Sequence, residues 1–127
     1  MKEIMKQKTL SKIEQQVINE FKKNLIKKLG SDLVLIKLYG SKARGDWHEE
    51  SDIDILVVAK GERQKIKNLI YTIAYDIETK YNYAINIAPA IYTLNDYIKL
   101  NNPPTSFLYT VNLEGKNIWR NQSITMR

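Results

Sequence analysis

Apolar residues near the start of the chain fall at Ile13, Val17, Ile18, Phe21, Leu25, Ile26 and Leu29, three and four positions apart. That spacing predicts a helix with one buried face. Ser11 and Glu14 stand where a capping box would place its Ser and its Glu, and Gly30 stands where a helix would stop. The pattern then changes. Leu33 to Tyr39 reads as a strand closed by Gly40, "SKARGDWHEES" as a short or helical turn plus a polar loop, and "DIDILVVA" as a second strand. The tail of that strand, Ile55 to Ala59, is continuously apolar, as in a strand buried on both faces. Helical spacing returns with Ile66, Leu69, Ile70, Ile73, Ala74 and Ile77, predicting a helix over roughly Glu62 to Lys80. "YAINIAPAIYT" predicts a third strand, with Pro89 pointing to an edge or a bulge. "TLNDYIKL" predicts a short helix capped by Thr93, "TSFLYTVNLEG" a last helix stopped by Gly115, and "KNIWR" a final strand. Residues 120–127 are expected to fray. The expected fold class is α/β in the α+β sense: one small mixed sheet packed against helices, a single domain over residues 1–127.

Composition narrows the chemistry. The 127 residues hold no Cys and one His, His48, which excludes disulfides, thiolate catalysis and His- or Cys-based metal sites. "MKEIMKQKTLSK" lacks the apolar core of a signal peptide and no apolar run is long enough to span a bilayer, so the expectation is a cytoplasmic protein. The net charge of +6 favours anionic partners, but the basic residues are spread out and not clustered. Nucleic acid therefore ranks below nucleotides as a partner.

One stretch departs from the packing logic. The second strand opens with Asp52 and Asp54, residue types that strands disfavour. Alternation puts both on one face, where two carboxylates repel each other unless a cation lies between them. Mg²⁺, or Mn²⁺ in its place, takes oxygen ligands from one or two carboxylates plus substrate phosphates. Gly40 and Ser41, closing the preceding strand, suit a phosphate: glycine lets the backbone approach, and N–H groups with the Ser hydroxyl donate. Lys42 and Arg44 would add charge-assisted contacts.

With Gly40-Ser41, ten intervening residues, then Asp52-x-Asp54, "GSKARGDWHEESDID" resembles the signature of the minimal nucleotidyltransferases of the DNA polymerase beta superfamily. The resemblance implies the polymerase-beta-like fold. It also implies Mg²⁺ on Asp52 and Asp54, and the triphosphate of ATP or another NTP on Gly40 and Ser41. It further implies pairing as an antitoxin with a HEPN-type toxin, to which some members of the group transfer AMP. The family's third carboxylate, on the next strand, has no Asp or Glu to match it here. Asn86 is the polar residue inside that strand, and an amide cannot act as a base. Two functions follow. One is Mg²⁺-dependent transfer of a nucleoside monophosphate to a hydroxyl of a partner protein. The other is a catalytically weakened module that binds nucleotide and neutralises its partner by contact. The remaining candidates have plain roles: His48 as a solvated loop residue, Trp47 as a contact residue, and Tyr71, Tyr75, Tyr81, Tyr83, Tyr92, Tyr97 and Tyr109 as the edge of the core.

Overall fold

The computed structural model describes residues 9–46, 48 and 51–124. Helix α1 spans Lys12–Leu29, and a short 3₁₀ turn leads into strand β1, Leu33–Tyr39. One helical turn, α2 (Ser41–Arg44), precedes β2 (Ile53–Ala59) and the long helix α3 (Arg63–Lys80). Strand β3 (Ile87–Thr93), helices α4 (Leu94–Leu100) and α5 (Ser106–Glu114), and strand β4 (Lys116–Arg120) complete the order. The sheet runs β3-β2-β1-β4. β1 is antiparallel to β2 and β4, and β2 is parallel to β3, so the sheet is mixed.

Local chemistry sets the boundaries. The Glu14 N–H donates to Ser11 Oγ at 3.1 Å, and the Ser11 N–H donates back to Glu14 Oε1 at 2.9 Å, closing the capping box. Thr93 and Thr105 cap α4 and α5 by accepting from the N–H groups of Asp96 and Leu108. The sheet buries both faces. Ile53, Ile55, Val57 and Ala59 of β2 pack with Val17, Phe21 and Leu25 of α1 and with Ile66, Ile70 and Ile73 of α3. Leu56 and Val58 face a smaller cluster of Tyr97, Leu108 and Val111 from α4 and α5. This two-sided burial explains the unbroken apolar run of the second strand.

Three expectations need correction. The third strand starts at Ile87 and not at Tyr83. Before it the chain turns: the Tyr83 N–H donates to Glu78 O at 2.8 Å, and Asn82 and Tyr83 take positive φ of 54° and 60°. A parallel partner must be re-entered after α3, and that reversal uses the residues whose alternation resembled a strand. The end of the chain is tied down as far as Ile124. The Asn121 N–H donates to Val34 O at 2.9 Å, its side-chain amide donates to Leu33 O at 3.2 Å, and Ile124 joins the smaller cluster. Residues 125–127 lie outside the described residues. Finally, the tyrosines divide. Tyr97 is buried, whereas Tyr71, Tyr75, Tyr83 and Tyr109 are each at least half exposed. Pro89 does sit on an edge strand, as its missing donor requires. Among the described residues no helix is long and apolar enough to cross a membrane.

Candidate functional site

Register assembles the site. Antiparallel pairing of β1 with β2 sets Tyr39 opposite Asp54. The turn that follows Tyr39 is thereby laid against the start of β2. Gly40 has φ 75° and ψ −158°, a conformation open to glycine. A Cβ there would overlap Asp54 Oδ2 and sit 3.3 Å from Asp54 Cβ. Gly40 is thus fixed by two demands, its backbone conformation and the closeness of Asp54. From it α2 starts, with the Ala43 and Arg44 N–H groups donating to Gly40 O at 3.1 and 3.0 Å. The Ser41 hydroxyl, in the first position of α2, makes no side-chain hydrogen bond among the described residues.

The carboxylates differ in setting. Asp54 is partly buried and Asp52, one residue before the strand, is exposed. Burial first, and the nearby Asp52 second, hold the Asp54 carboxyl above its ordinary range, while Arg44 pulls the other way. The Tyr39 hydroxyl is pushed up to about 12 by burial, then by Asp54 and Tyr92. A half-buried anion beside a second anion, with hard oxygen donors only, is a fit donor set for a small divalent cation. Among the described residues no group of three or more His, Cys, Asp or Glu is placed to hold a metal ion, so phosphates or water would complete the shell.

The two cations of the turn part company. Arg44 stays at the surface, its Nε donating to Asp46 Oδ2 at 3.1 Å and its Nη1 to Glu114 Oε1 at 2.8 Å. Its charge still reaches Asp54. Lys42 is buried, with its Nζ in an ion pair with the Glu14 carboxylate of α1. Its ammonium is therefore engaged inside the fold, where it also borders a cleft with Ser51, Ile53 and Asn86. Burial pushes the Glu14 carboxyl up, but the hydrogen bonds from Lys42 and Ser11 outweigh it and hold the group below its ordinary range.

Asn86 lies just before β3, and its carbonyl accepts from the Ile53 N–H at 2.9 Å. The parallel register pairs Asp54 with Ala88, which sets Asn86 level with Asp52. Asn86 is exposed, and Ala84, expected on the same strand face, belongs to the preceding turn. Glu78 is occupied elsewhere, with its Oε2 accepting from the Ile87 N–H at 2.8 Å. His48 is exposed and its N–H donates to Ser51 Oγ at 3.1 Å. Trp47 lies outside the described residues. Sequence reasoning missed Glu114 and Tyr39 as neighbours of the turn and read Glu14 as a cap alone. Tyr39 was open to detection, since an antiparallel partner of a strand opening with Asp-x-Asp must end beside it.

A family model described as "Polymerase beta, Nucleotidyltransferase" matches residues 15–124. A protein of Methanocaldococcus jannaschii named as a protein adenylyltransferase is 33% identical over 120 residues, covering 87% of this chain and 78% of that one. Among solved structures, a chain of a toxin–antitoxin complex with AMP-PNP shares 25% identity at a TM-score of 0.53, covering 83% of this chain and 74% of that one. A chain from the complex of tri-AMPylated Shewanella oneidensis HEPN toxin with MNT antitoxin shares 22% at a TM-score of 0.50, over 86% of this chain and 74% of that one. The last likeness speaks for the fold alone.

Proposed function

The chain belongs to the polymerase beta nucleotidyltransferase family, and we propose that it moves AMP from ATP to a hydroxyl of a partner protein, a HEPN-type toxin, as the antitoxin of the pair. The observation that carries this reading is the register that lays the Gly40–Ser41 turn against Asp54, with Asp52 alongside. Asp52 and Asp54 would hold Mg²⁺ or Mn²⁺, which when bound supplies positive charge to the phosphates. Ser41 and the backbone of the turn donate to the triphosphate. Arg44, anchored by Asp46 and Glu114, offsets charge that builds on the leaving group. The partner's hydroxyl oxygen bonds to the α-phosphorus as the bond to the bridging oxygen breaks. Pyrophosphate leaves with that electron pair. The hydroxyl proton goes to solvent or to a base that the partner brings, because Asn86 accepts none.

Asn86 also favours a second reading, in which the domain binds nucleotide and neutralises its partner by contact. One experiment separates the two. The chain is mixed with a candidate HEPN-type partner and with α-labelled ATP and Mg²⁺. Label on the partner, lost in Asp52→Asn, supports transfer. A stable complex without label supports the contact reading. Neither label nor complex would sink both.

A further inference from the structure

A polar cleft of about 220 Å³ opens on the sheet face that carries α4 and α5. Leu35 and Lys37 of β1, Asn117 and Arg120 of β4, Tyr97 of α4 and the following Asn101 line it. The strand register accounts for the grouping, since Leu35 pairs with Arg120 and Lys37 with Asn117. Both cations lack an acidic partner among the described residues. They are also close enough to repel. The Lys37 ammonium is held below its ordinary range by burial first and by the Arg120 charge second. The Lys37 stem runs close to Gly115, where an added Cβ would meet its Cδ at 2.7 Å.

Tyr97 is the unusual member. It is 5% exposed, and its hydroxyl has no hydrogen-bond partner among the described residues. A buried hydroxyl without a partner costs free energy, so such groups ordinarily have one. Here Tyr97 lines a cleft, and its hydroxyl feels the charge of Arg120. Asn101 accepts at Oδ1 from the Asn112 side chain at 2.9 Å, which leaves its Nδ2 as a donor among the lining groups. Two positive charges and several neutral donors therefore border one space, and Asp and Glu are absent from its lining.

We infer that the cleft formed by Lys37, Arg120, Tyr97 and Asn101 is a binding site for a phosphate group, separate from the nucleotide site at Gly40 and Ser41. A phosphate carries close to two negative charges and accepts on several oxygens at once. That matches two cations and neutral donors better than a singly charged, planar carboxylate does. The space admits one such group with a few waters. Bound anion would also remove the Lys37–Arg120 repulsion, so its effect should register as added stability.

The test uses the whole chain without magnesium, so that the metal-dependent site is silent. Inorganic phosphate, AMP and acetate are titrated separately by calorimetry and by ¹H–¹⁵N spectra. Phosphate should saturate, raise the melting temperature, and shift the amides of Asn101 and Asn117. Tyr97→Phe removes one hydroxyl and keeps the ring, and should weaken binding about three- to tenfold. Lys37→Met should weaken it more than tenfold and, in the absence of phosphate, should itself raise the melting temperature. Ser41→Ala should leave phosphate affinity unchanged. Equal affinity for phosphate and AMP identifies the ligand as the free ion, and tighter AMP identifies it as a nucleotide phosphate; both support the site. No saturable binding at millimolar phosphate overturns it. So do shifts confined to residues 40–44 that vanish in Ser41→Ala, or acetate binding as tightly as phosphate. The result is independent of transfer activity, so failure here leaves the nucleotidyltransferase reading standing.

Discussion

Two pairs of charges flank the start of β2, and they are built on opposite principles. Glu14 and Lys42 are buried, opposite in sign and joined to each other, with Glu14 also closing the capping box of α1. Asp52 and Asp54 are like in sign and more open to solvent, and after burial the Asp52 charge adds to the cost of ionising Asp54. The first pair is complete within the chain. The second has no ion pair to a Lys or Arg among the described residues, and only the more distant charge of Arg44 acts on it. Both border the same turn, and the turn joins them: Gly40 lies against Asp54, and two residues later Lys42 reaches Glu14. A closed pair can fix a backbone, whereas an unbalanced pair stores attraction for a ligand.

Breaking the closed pair should give the largest effect. Lys42→Met leaves Glu14 buried without its cation and should cost about 3–5 kcal/mol of stability. Chemical denaturation measures it, and a loss near zero would show that the pair holds nothing. The double change Glu14→Leu with Lys42→Met should recover most of that loss, because apolar neighbours of similar volume replace buried ion pairs at little cost. Protonation gives the same answer by another route. The Glu14 carboxyl is lower in the fold than in the unfolded chain, so its contribution is full above the unfolded value and is lost as pH falls through the folded one. Wild type should therefore approach Lys42→Met in stability as the medium becomes strongly acid.

Supplying what the open pair lacks should come next. Asn86 is level with Asp52 across the parallel ladder. Asn86→Asp should tighten Mg²⁺ binding and speed label transfer by about 10²-fold or more, the usual worth of a positioned base. The comparison is made at matched Mg²⁺ with the cognate partner. Unchanged metal binding and unchanged transfer would place the reacting hydroxyl away from Asn86. Ser41→Ala should follow, weakening ATP by roughly 1.5–3 kcal/mol, the range for one hydrogen bond to a charged group. Calorimetry that finds ATP binding intact would remove Ser41 from the phosphate contacts.

The same two pairs show what a sequence discloses. The Asp-x-Asp and the Gly-Ser turn were legible because their chemistry is local: a strand that opens with two carboxylates breaks the rule for strands, and only a few residues carry the exception. Helix limits were legible for a similar reason, since Ser11 with Glu14 and Thr93 with Asp96 cap within three positions. Lys42 was not legible. Lys42 and Arg44 stand two apart in one polar turn, and only the path of α1, almost thirty residues earlier, decides which of them is covered. The Arg44–Glu114 contact spans 70 positions. The start of β3 failed for a third reason, because Ala84 and Asn86 alternate as a strand would while hydrogen bonds back to α3 bend the chain.

The smallest effect is the most diagnostic of the contrast, because its sign is the reverse of the usual one. Most changes at partly buried positions destabilise a fold. Asp54→Asn should stabilise this one at neutral pH in the absence of metal. The Asp54 carboxyl lies above its ordinary value of 3.8 in the fold, so the folded chain prefers it protonated. Its ionisation therefore costs stability as pH rises from the unfolded value through the folded one, and at neutral pH the whole penalty is present. An amide removes the charge and keeps the shape, and should raise the melting temperature by a few degrees at pH 7. Below both values the advantage should vanish, since wild type then carries a neutral group as well. Mg²⁺ with ATP should reverse the order, stabilising wild type and leaving Asp54→Asn unmoved. Melting curves at neutral and acid pH, with and without MgATP, check all of this in one series. If Asp54→Asn melts lower than wild type at pH 7 without metal, the carboxylate is held by contacts within the chain. The pair at Asp52 and Asp54 would then be as closed as the one at Glu14 and Lys42.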